Sequence, residues 1–156
     1  MKTARPYRTF NPTGIAPLKD SLPGATAVFC CAGTSLQSFQ NEIAPREWPR
    51  FAVNGAIRWF KQNWNVPDFW CLADNPIVEH YAEDCLPITT VLALHEAGAT
   101  CKKVLHNRVV YTADSTNEPI TYNDGKSFFS RGTVLIGALE MARYMGVRRA
   151  FVFGLD

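Results

Sequence analysis

"AVFCCAGTSL", Ala27 to Leu36, is the stretch whose reading decides the fold. A short apolar run with valine and phenylalanine is what a strand buried on both faces looks like. It ends abruptly on Ala32-Gly33-Thr34-Ser35, and Leu36, Phe39 and Ile43 then recur at helical spacing behind the Thr/Ser start. Strand, tight turn, helix is the opening unit of an open α/β sheet.

The alternation continues outward from that unit. "RFAVN" predicts a strand and "GAIRWFKQNW" a helix with Ile57 and Phe60 on one side. "DFWCLAD" predicts a third strand, and "NPIVEHYAED" a helix capped by Asn75 with Pro76 at its first position. "ITTVLALH" and "KKVLHNRVVYT" supply two or three more strands, with a turn near Asn107. "TADSTNEPITYNDGK" is polar and reads as a long loop or hairpin excursion. "GTVLIGALEMARYMG" is the strongest helix, with Leu135, Leu139 and Ala142 on one face, Ala138 and Met141 flanking, and Gly146 ending it. "RRAFVFGLD" is the last strand. The expectation is one α/β, Rossmann-like domain over 25–156, with a mainly parallel sheet and helices on both faces. Residues 1–24, rich in Pro and Gly, read as an arm on its surface.

Composition excludes several classes. The 156 residues are 47% hydrophobic and 19% charged, which suits one globular domain rather than disorder. A net charge of +2 is too small to argue for a nucleic-acid surface, and the basic start with Lys2, Arg5 and Arg8 reads as a solvated tail. The five cysteines are odd in number and form no C-x-x-C pair, so neither a disulfide framework nor a zinc site is suggested. There is no apolar core for a signal peptide among the first 24 residues and no run long enough to span a bilayer. A reduced, cytoplasmic protein is expected.

In such a sheet ligands bind outside the carboxyl ends of the strands. The residues that follow the strands are Gly33, Thr34 and Ser35, then Asn54, then Asp74 and Asn75, then Gly154-Leu155-Asp156. Gly33 with free N–H groups and the Thr34 and Ser35 hydroxyls predicts an anion site that fits phosphate. Ser130 and Arg131 stand before the long helix, where Ser130 serves as a cap and Arg131 is placed for a phosphate. The full dinucleotide fingerprint is absent, as is the P-loop. His80 and His95 are read as surface residues, and the four tryptophans as packing.

The set Ala32-Gly33-Thr34-Ser35-Leu36, Asn54, Pro67-Asp68, Asp74-Asn75-Pro76, Ser130 to Thr133, and Met145-Gly146 through Gly154-Leu155-Asp156 carries a resemblance. It resembles the bacterial lipooligosaccharide sialyltransferases and the related Rossmann-like domains similar to archaeal 6-hydroxymethylpterin diphosphokinase, a group with many phage and prophage members. The resemblance implies a nucleotide or nucleotide-sugar site lined by Gly33, Thr34, Ser35, Asn54, Asp74, Asn75, Ser130 and Arg131, with a CMP-sugar as donor. Ser130 and Asp156 are the catalytic candidates it offers. No metal ligands are implied for the transferases, whereas the diphosphokinase-like alternative uses ATP and Mg²⁺ with Asp74 and Asp156 on the metal side. A third alternative is a non-catalytic module. Ala32, Thr34 and Arg131 depart from the pattern. In the sialyltransferases further catalytic residues follow the last strand, so a nucleotide half without its catalytic half is expected, its exposed sheet edge favouring a homo-oligomer.

Overall fold

A computed structural model describes residues 14–38, 45–63, 65–86, 88–94, 97–105, 108–116 and 125–156. The strands are β1 (Thr26–Cys30), β2 (Arg50–Val53), β3 (Phe69–Leu72), β4 (Thr90–Leu94), β5 (Val110–Thr116), β6 (Ser127–Phe129) and β7 (Arg149–Phe153). The helices are α1 (Ala56–Gln62), α2 (Asn75–Tyr81), α3 (Ala97–Val104) and α4 (Val134–Tyr144). All seven strands lie in one sheet of order β6-β5-β4-β3-β2-β1-β7, and every pairing is parallel. The protein is an α/β, Rossmann-like fold.

Alternate side chains of β1 to β4 enter two separate cores, which is why those strands read as continuous apolar runs, whereas the edge strand β7 has no buried residue. Val28, Ala52, Trp70, Val91 and Ala93 face α1, α2 and α3, whose Ile57, Phe60, Val78 and Cys101 close that layer. Ala27, Phe29, Phe51, Leu92 and Leu94 face α4. On that second face the register aligns Phe29 with Phe51 and Phe51 with Phe69. The three rings stack across the sheet at 4.5 and 4.6 Å between centroids. Each such pair contributes about 0.5–1.5 kcal/mol beyond its burial.

Three local readings are corrected. Lys102, Lys103 and Val104 close helix α3 rather than belonging to a strand; Ala97, Cys101 and Leu105, all buried, stand four residues apart as a helix requires. Thr112 to Thr116, read as the start of the polar excursion, extend strand β5, with which β6 pairs in parallel; residues 117–124 lie outside the described residues. The buried face of α4 is Gly137, Ala138, Met141 and Ala142, with Leu135 and Leu139 only packed against its edge. The small Gly137 allows this close seating, since a Cβ there would lie 2.5 Å from the Leu94 side chain.

Residues 14–24 lie against the α4 layer. Gly14 N–H donates to the Thr112 carbonyl (2.7 Å), Leu22 N–H to that of Met145 (2.7 Å), and Ile15 is fully buried. Phe39, Ile43, Trp64, His95 and the turn near Asn107 fall outside the described residues. All five cysteines are free, and burial pushes each thiol up, Cys30 and Cys101 to about 12 and Cys85 to about 11. They pack as small hydrophobes.

On the outer side of α1, Arg58 Nε and Lys61 Nζ hold the buried Asp84 carboxylate at 2.9 and 3.0 Å. Burial alone would raise the Asp84 pKa; hydrogen bonds from Lys61 and Arg58, with their charges, more than offset this and hold it below its ordinary range. Its stabilising contribution is therefore complete above the unfolded carboxylate pKa and lost as pH falls through the folded one. Asp84→Asn is expected to flatten the fall in urea stability between about pH 5 and pH 2. A variant whose acid limb matches that of the parent would remove Asp84 from the account.

Candidate functional site

The order of the strands sets where a site can form. Strands β1 to β6 are laid down outward in one direction, and α4 carries the chain back to the far side of β1, so the order reverses between β1 and β7. The crevice at such a reversal opens at the carboxyl ends of the strands.

At β1 and β7 the structure brings together residues that stand 122 positions apart. The Thr34 and Ser35 hydroxyls both donate to the Asp156 carboxylate, and Ser35 N–H donates to its two oxygens at 3.1 and 3.0 Å. These donors, the Ser35 hydroxyl foremost, hold the Asp156 carboxyl well below the usual carboxylate range. The group expected to cradle a phosphate thus cradles a carboxylate of the same chain. Gly33 has a different reason from the one the sequence suggests: its backbone is not in the left-handed region, and a Cβ on it would lie 2.4 Å from the Asp156 carbonyl oxygen and 2.6 Å from that of Gly154. The glycine makes room for the end of β7.

The cavity lies one strand further on. About 350 Å³ is enclosed between Cys31, Asn54, Asp74, Gly132 and Thr133. A second hollow of about 160 Å³ shares Asp74, Gly132 and Thr133 and adds Ser130 and Leu94. The walls are the carboxyl ends of β1, β2 and β3 and the amino end of α4.

Asn54 is held in an unusual backbone conformation, φ +49°, which asparagine tolerates better than most residues. Its N–H donates to the Cys71 carbonyl and its own carbonyl accepts from Trp70 Nε1, both at 2.9 Å. Its side-chain oxygen is buried without a partner, and so is that of Asn75. Asp74, not Asn75, is the N-cap of α2; Asn75 and Pro76 are its first two helical residues. The Asp74 side chain makes no capping bond and stands exposed at the cavity. At α4 the cap is Thr133, whose hydroxyl accepts from Ile136 N–H at 3.2 Å, and not Ser130. The three-residue slip comes from Arg131 and Gly132, both left-handed at φ +46° and +75°, which delay the helix. Ser130 is 3% exposed and its hydroxyl bonds to no described residue, while its N–H donates to the Thr116 carbonyl at 3.0 Å. Arg131 is exposed beside it.

Cys31, Gly132 and Thr133 complete the cavity. Cys31 was not among the residues expected at the site; its position directly after a strand was the available signal. His80 is exposed on α2, its ring edge-on to Tyr81 at 4.6 Å, away from the cavity lining. Among the described residues no group of three or more His, Cys, Asp or Glu side chains could hold a metal ion, and no helix is long and apolar enough to cross a membrane.

No protein-family model matches the chain, and no curated protein matches it. Among solved structures, the MAf glycosyltransferase from Magnetospirillum magneticum AMB-1 superposes with a TM-score of 0.67 at 18% identity, over 88% of this chain and 24% of that one. The two share a fold over that stretch. The chain spans about a quarter of the solved protein's length, so the shared fold corresponds to one part of a larger molecule.

Proposed function

We propose that the cavity at the carboxyl rim binds the nucleotide part of a nucleotide-sugar, a CMP-sugar in the first instance, as the donor half of a cytoplasmic glycosyltransferase. The observation that supports this best is the amino end of α4 opening into that cavity, with Ser130, only 3% exposed, in the wall beside it. A helix amino end presents free N–H groups and a partial positive charge to a phosphate, and Ser130 adds a further donor. Arg131 stands outside as a counter-charge. Asn54 offers an amide to an amino or hydroxyl group, and the Asp74 carboxylate offers acceptors to sugar or ribose hydroxyls, whereas Asn75, expected at the site, lines neither hollow.

In the transfer itself the sugar is displaced from its phosphate by an acceptor hydroxyl. The α4 amino end and Ser130 stabilise the charge that grows on the leaving phosphate, an effect realised chiefly in the transition state. The Thr34–Ser35 cradle is filled by Asp156, so phosphate is assigned to α4 rather than to the first turn.

Calorimetric titration with CMP, CDP, UDP, GDP and ATP, each with and without Mg²⁺, tests the reading. The expected result is metal-independent binding of CMP or CDP that Ser130→Ala weakens about tenfold, the worth of one hydrogen bond to a charged group. Binding of ATP only with Mg²⁺ would transfer the site to the diphosphokinase-like reading, with Asp74 and Asp156 on the metal side. No binding of any nucleotide at millimolar concentration would reject both.

A further inference from the structure

The largest hollow among those described, about 670 Å³, lies at the opposite end of the sheet from the rim cavity. Its walls are the last turns of α1 with Arg58, Lys61 and Gln62, the approach to β3 with Val66, and the approach to β4 with Asp84 and Leu86. A space of this size holds a small organic molecule.

Charge selects the molecule. Arg58 and Lys61 share the single carboxylate of Asp84, so the three side chains carry one net positive charge. Arg58 spends only Nε on Asp84, and its guanidinium lies over the Tyr81 ring at 4.7 Å from the centroid. The two Nη groups donate to no described residue and form the planar fork that matches a carboxylate. Lys61 is more fully used, donating to Asp84 at 3.0 Å and to the Glu83 carbonyl at 3.0 Å. Val66 and Leu86 supply apolar wall beside the polar Gln62 and Asn65.

We infer that this hollow is a second ligand site, separate from the nucleotide cavity, for a small monocarboxylate with an apolar body. One charge on the ligand neutralises one on the wall, whereas a phosphate dianion would leave a charge uncompensated in a partly dry pocket. Arg58 also gives the site a path to the rim. The Tyr81 ring beneath it reaches Gly55, where a Cβ would lie 2.9 Å from the Tyr81 hydroxyl, and Gly55 follows Asn54.

The test uses 4-phenylbutyrate as probe and its uncharged amide as control, with amide-resolved NMR shift mapping on the full chain. Expected are saturable shifts at residues 58–66 and 84–86, binding at least about tenfold weaker for the amide, and loss of binding in Gln62→Glu. That variant places a carboxylate one turn along α1 from Arg58, where it competes for the Nη groups while leaving Asp84 and Lys61 in place, and the unchanged amide shifts of β1 to β4 verify that it is folded. Equal binding of acid and amide, shifts centred on Asn54 and Gly132, or no shift at 10 mM probe (a concentration on the order of the weakest specific affinities) would each overturn the inference. CMP titrated in the same samples reads the nucleotide cavity independently, so failure at one site is not failure at the other.

Discussion

Gly154→Ala is expected to lower the melting temperature by about 10 °C, at roughly 2–4 °C per kcal/mol for a chain of this size. Two costs combine. The residue sits at φ +70°, which costs a non-glycine residue about 1 kcal/mol or more. The added Cβ would also stand 2.3 Å from the Cys31 carbonyl oxygen and 3.0 Å from the Leu36 Cβ, so the end of β7 must separate from the end of β1. Gly24→Ala is the control: its φ is +72° and nothing lies within 4 Å of the added Cβ, so it bears only the first cost. Melting curves for the two variants decide the matter. If both fall by the same small amount, the close approach of β7 to β1 is not as described. Because Gly154 precedes Asp156 by two residues, the variant is also expected to free the Thr34 and Ser35 hydroxyls.

Trp70→Ala is expected to cost about 3–5 kcal/mol, the range for removing a large buried aromatic side chain. Trp70 is fully buried beneath α1 and α2, and its Nε1–H is the donor to the Asn54 carbonyl. Trp70→Phe separates these roles. It keeps most of the ring volume but removes the shorter of that carbonyl's two hydrogen bonds, leaving Ile57 N–H at 3.5 Å, a loss of about 1 kcal/mol. Asn54 is kept at positive φ by this bond and by its own N–H on Cys71, so Trp70→Phe should also weaken nucleotide binding while leaving the sheet intact. Urea unfolding gives the first quantity and calorimetry the second. A Phe variant with parental stability and parental affinity would mean that Asn54 is positioned by something else.

The strands that enter both cores were legible because a strand buried on two faces has no polar alternation to hide it. The runs "AVFC", "RFAV", "FWCL" and "TVLAL" each correspond to one, and "RAFVF" was legible from its apolar run although β7 lies exposed at the sheet edge. Helix α3 was misread because Lys102-Lys103-Val104-Leu105 looks extended when taken alone, and the small residues before it carry a weak periodic signal. The face of α4 was rotated because leucine was weighted above alanine and methionine, whereas the contact with Leu94 leaves no room for a side chain at Gly137. The strand-end residues could be named from the order of elements. Which of them touch could not, since the Asp156 carboxylate meets Thr34 only because β7 returns to the side of β1. No spacing in the sequence encodes that choice of edge. The helix cap slipped from Ser130 to Thr133 because a left-handed pair at Arg131-Gly132 depends on the backbone, not on composition.

Five of the six strand pairings join neighbours in sequence, and only β1 with β7 closes a loop over most of the chain. Closing that loop carries the largest entropic cost in the sheet, and it is the step that such long-range pairings delay. Synthesis runs from the amino end, so β1 to β6 are made before α4 and β7. The rim cavity takes a wall from α4, and the Thr34–Ser35 cradle is filled from beyond β7. A nascent chain therefore carries an unfinished sheet with its Phe29–Phe51–Phe69 face uncovered until the last two elements emerge, which makes that face the part of the molecule most exposed to chaperones during its own production.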